Sequence, residues 1–152
     1  MRPTAAMVNR TVMLELIDAT GQTWGVAGQF RYDANDPFAV VADFHAGPHP
    51  IRWLFARDLL AEGVFAPIGE GDVAVWPCLD NKGRAVVVIE LSSPHGHVLL
   101  QTPSADVVEF LQQSFHLVAR GTEDKRLDLD STILQLLGHD RATATRTGPH
   151  TA

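Results

Sequence analysis

Through the first hundred residues the apolar positions recur with period two, in short runs rich in Val, Ile, Phe, Trp and Thr separated by turn residues, the pattern of an antiparallel meander. Thr11 to Ile17 and Trp24 to Tyr32 read as the first two strands, joined through Asp18-Ala19-Thr20-Gly21-Gln22, with Gly21 as the tight-turn residue. Asp36-Pro37 restarts the chain. Phe38 to His45 is a third strand, stopped by Gly47-Pro48-His49-Pro50, whose prolines cannot donate to a ladder. Ile51 to Phe55 is a short fourth strand. Asp72 to Cys78 alternates, and Ala85 to Leu91 is almost continuously apolar, which predicts a strand buried on both faces. Asp80-Asn81-Lys82-Gly83 connects these two as a hairpin, Ser92 to Gly96 turns the chain again, and His97 to Gln101 is a seventh strand.

Helical spacing interrupts this pattern once and then replaces it. Ala56 to Glu62 has no β-branched residue and sets Phe55, Leu59 and Leu60 on one side, predicting one or two helical turns stopped by Gly63. Ile68-Gly69-Glu70-Gly71 reads as a Gly-rich turn. From Thr102 onward the period becomes 3.6: Thr102 is placed to cap, Pro103 suits the first helical position, and Val107, Val108, Leu111, Phe115 and Val118 share a face until Gly121. Asp130 can cap a last short helix carrying Ile133, Leu134, Leu136 and Leu137 before Gly138. The resulting class is α+β, with about seven antiparallel strands followed by C-terminal helices. Residues 1–10 are expected to be a flexible N-terminus and 11–138 the folded domain. The Thr/Ala/Arg-rich stretch 139–152 has too few large apolar groups to repay its ordering entropy and is expected to be a disordered tail.

Composition narrows the function. At 152 residues, 45% hydrophobic and 20% charged, the chain has enough apolar material for one core. Eighteen acids against twelve bases give a net charge of −6, which disfavours a phosphate backbone as partner. One cysteine, Cys78, excludes an internal disulfide and a cysteine-based zinc cluster and points to the cytoplasm. No apolar run approaches the ~18 residues of a spanning helix, so membrane insertion is not expected.

No catalytic or cofactor motif stands out. G-x-S-x-G and H-E-x-x-H do not occur, and Ser92 and Ser93, beside Pro94 and Gly96, fit turn chemistry. Cys78 reads as a small buried hydrophobe. His95 and His97, two apart on an extended segment, could share an ion with His45 or His49, but two ligands do not make a site and no metal is expected. Gly69-x-Gly71 runs into Asp72 and a strand, failing both nucleotide-loop patterns, and Asp128 with Asp130 fits a charged connector. Trp24, Trp53 and Trp76 lie in apolar strand patterns without flanking basic clusters, which assigns them to core or subunit-interface packing ahead of base stacking. Neither a catalytic group nor a cofactor is therefore assigned.

Several blocks in order carry a resemblance. Arg31-Tyr32-Asp33, Asp36-Pro37-Phe38-Ala39-Val40, the run Trp53 to Gly63, Gly71 to Cys78, Leu91 to Gly96 and Leu127-Asp128-Leu129-Asp130 resemble the SsgA-like proteins of sporulating actinomycetes, with an SsgB-like member the nearest in length and pattern. The likeness spans roughly Thr11 to Leu137. It implies a non-enzymatic cytoplasmic protein at the division septum that helps position or recruit FtsZ, together with other SsgA-like proteins. It also implies a fold like the Whirly type of single-strand binders and a homotrimer. Within that reading, Arg57, Asp58 and Glu62 on the short helix are the candidate exposed partner contacts, against the plainer reading that they pair with neighbours or cap the helix. A single-stranded nucleic-acid-binding module of Whirly-like fold is the alternative, opposed by the net charge.

Overall fold

A computed structural model describes residues 6–125. Eight strands form one antiparallel sheet: β1 (Met7–Ile17), β2 (Thr23–Asp33), β3 (Ala39–His45), β4 (Ile51–Ala56), β5 (Ile68–Glu70), β6 (Val73–Leu79), β7 (Ala85–Ser93) and β8 (Gly96–Pro103). Two helices accompany them, α1 (Arg57–Gly63) between β4 and β5, and α2 (Ser104–Leu117) after β8. The strand order β4-β3-β2-β1-β8-β7-β6-β5 is two four-stranded meanders joined back to back through β1 and β8. α1 touches both outermost strands, β4 and β5, so the sheet curls around a concave face.

Alternation decides what enters that face. Val12, Leu14, Val26, Phe30, Tyr32, Val40, Ala42 and Phe44 from one meander meet Val73, Val75, Val87, Ile89, Leu91 and Leu100 from the other, all buried. α2 closes one end with Val107, Phe110 and Leu111. The Phe110 ring lies 5.4 Å from that of Phe30, and Arg10 on β1 reaches Asp106 and Glu109 of the helix at 2.7 and 3.0 Å. Two glycines permit closest approach. A Cβ on Gly28 would lie 2.5 Å from Leu14 Cδ1, and one on Gly63 would lie 2.2 Å from Val75 Cγ1, where α1 is pressed onto β6.

Several expectations need correction. β1 begins at Met7, not Thr11, because residues 7–10 pair with Arg31–Phe30 and their neighbours on β2, so the stretch read as a flexible N-terminus supplies four strand residues. Ile68–Glu70, read as part of a turn, is an eighth strand pairing with Val73–Val75, and the turn shrinks to Gly71 and Asp72, with Gly71 at φ +64°. Thr102 does not cap α2: a residue before proline favours extended backbone, so β8 runs on to Pro103 and Thr102 pairs with Val87. Phe110 belongs to the buried helix face, α2 ends at Leu117, and Gly121 (φ +89°) lies in the following connection. Cys78 is exposed, because it shares the convex register of Trp76 near the end of β6, away from the core. The last helix expected after Asp130 and the tail 139–152 lie outside the described residues.

Candidate functional site

The helix read as a contact surface splits into a buried and an exposed part. Arg57, the first residue of α1, is 1% exposed and is not a surface contact. Its guanidinium lies between the rings of Tyr32 and Phe115, at 4.6 and 4.3 Å from their centroids. It donates at the end of α2 to the carbonyls of Ser114, which also accepts the Val118 amide, and Val118, at 3.1 and 2.8 Å, and to Glu123 Oε2 at 2.8 Å. Burial pushes the Glu123 carboxyl up. The hydrogen bond from Arg57, the amides of Glu123 and Gly121 and the Arg57 charge outweigh that and hold it below the ordinary range. Arg57 therefore ties α1, the end of α2 and the connection after it together.

Asp58 and Glu62, the other two residues of that expected contact, both pair with a neighbouring cation. Both side chains are about half exposed, and Arg120 reaches each at 3.3 Å, so the pair forms an acidic edge partly neutralised by one cation. On the convex face, Asp43 accepts from Arg52 at 2.8 and 3.0 Å and lies 3.5 Å from Arg31. Arg52's hydrogen bonds lead the effects that hold this carboxyl below its ordinary value.

The tryptophans separate too. Trp53 is partly buried against the core, and Trp76 is partly buried on the convex face opposite Val88. Trp24 sits opposite Leu16 near the end of β2 and is 52% exposed, so it is not a core residue.

The concave face stays open at the end away from α2. A groove of about 350 Å³ is lined there by Leu16, Phe44, Ile51, Trp53, Leu91 and Leu100, with Val98, His95 and His97 at its rim and Ser93, Gly96 and Ala46 completing it. Sequence reasoning did not find this groove, because its walls come from five strands of both meanders. The pairing of His95 with His97 was legible, and the structure places both beside the groove. Among the described residues no three metal-ligating side chains gather at one point, and no helix is long and apolar enough to cross a membrane.

Fold and site together define a class: a small curled-sheet α+β protein whose distinctive features are an apolar groove and an acidic helix edge. Residues 26–123 match the family described as Streptomyces sporulation and cell division protein, SsgA. The chain belongs to the SsgA-like family and is of the SsgB type. It is 43% identical over 125 residues to the sporulation-specific cell division protein SsgB of Streptomyces coelicolor, covering 82% of this chain and 90% of that one. The SsgB of Kineococcus radiotolerans is also 43% identical, over 86% of this chain and 79% of its own. A solved SsgA-like sporulation-specific cell division protein from Thermobifida fusca superposes with a TM-score of 0.79 at 35% identity, over 89% of this chain and 98% of that one. A structure from work on SsgB mutations that correlate with longitudinal cell division in Streptomyces coelicolor gives 0.75 at 42%, over 79% and 94%.

Proposed function

We propose that this chain is a non-enzymatic sporulation-specific cell division protein that helps localise or recruit FtsZ to the septum through protein contacts. The observation that carries this reading is its identity to SsgB of Streptomyces coelicolor across most of both chains. It works in the cytoplasm at the division septum, as a homotrimer of Whirly-like fold, alongside other SsgA-like proteins. Exposed apolar groups near both sheet margins, Leu54 on β4 and Leu79 on β6, support self-association. Three copies of one weak patch become jointly strong on a polymer, and the exposed pair Asp58 and Glu62 is the patch this reading assigns. The nucleic-acid alternative is not carried forward. Among the described residues Arg10, Arg31, Arg52, Arg57, Arg84 and Arg120 each pair with a carboxylate, which together with the net charge of −6 counts against phosphate as partner.

Co-sedimentation with polymerised FtsZ from the same cell tests the proposal, with the free mass fixed by light scattering. Pelleting with polymer, and a mass three times 16.6 kDa, are expected. A chain that stays in the supernatant, even with other SsgA-like proteins of that cell added, overturns the recruitment reading. A mass of one chain overturns the trimer.

A further inference from the structure

We draw no further inference here: the strongest candidate, the apolar groove at the open end of the concave face between the start of β4 and the β7–β8 turn, carries nothing because nothing in the structure shows what covers it.

Discussion

Removing the carboxylate of Glu123 is expected to be among the most costly single changes in this protein, although the residue lies beyond the last sheet element and far from the groove. Arg57 is 1% exposed, so in Glu123→Ala the guanidinium keeps its charge while losing its one carboxylate partner among the described residues, at an expected cost of about 3 to 5 kcal/mol. For a domain this size that lowers the melting temperature by roughly 6 to 20 °C. Arg57→Met is expected to fall in the same range, since it strands the Glu123 carboxylate and removes the side-chain donor to the Ser114 and Val118 carbonyls. The double variant Arg57→Met with Glu123→Met removes both charges and fills similar volume, so it should lose much less than the two single losses added. Urea unfolding followed by tryptophan fluorescence gives each value, with the slope checked for constancy. If Glu123→Ala costs under about 1 kcal/mol, or if the double variant equals the sum of the singles, the buried ion pair is not the tie described here.

Gly63→Ala is expected to destabilise by about 1 to 3 kcal/mol, because its methyl would overlap Val75. Combining it with Val75→Ala should recover part of that loss in the same unfolding assay. Arg120→Ala, in contrast, touches only half-exposed carboxylates and should cost less than about 1 kcal/mol. Asp43 and Glu123 have folded values below their unfolded ones, so each contributes stability above the ordinary carboxylate range, about pH 4, and loses it as pH falls through the depressed folded value. Unfolding free energy measured from pH 7 to pH 3 should be nearly flat to about pH 5 and then decline, and Glu123→Gln should make the decline shallower. Cys78 should react with a thiol reagent in the native protein at close to the rate seen in urea, whereas a protected thiol would contradict its exposure.

Local chemistry was legible in the sequence, and cooperation across the fold was not. Gly21, Gly71, Gly83 and Gly96 take positive φ at or beside turns that the residue order announced, and seven of the eight strands follow from apolar alternation or, for β7, from a continuous apolar run. β5 escaped because three residues containing a glycine show no period, and it exists only through its ladder with β6. Arg57 was misread because a charged residue opening a helix ordinarily faces water. Its partner is 66 positions away and its two ring contacts come from β2 and α2. Trp24 shares the inward register of Val26, but near the open end of the sheet inward does not mean covered. Asp58 and Glu62 are half exposed but share Arg120, a cation that only the fold brings to them, and the groove required both meanders to be assembled before any of its walls could be seen.

The joint between those meanders has a kinetic consequence. Within each half, neighbouring strands are joined by short turns, so pairing can begin by local hairpin closure. The joint rests on three residue pairs, Glu15–Gln101, Leu16–Leu100 and Ile17–Leu99, and bringing Glu15 to Gln101 closes a loop of 86 positions. Amide exchange should therefore report two strongly protected halves separated by a weaker seam, held against fraying by α2 where Asp106 grips Arg10. Loosening that grip should let water reach the seam amides well before either half unravels.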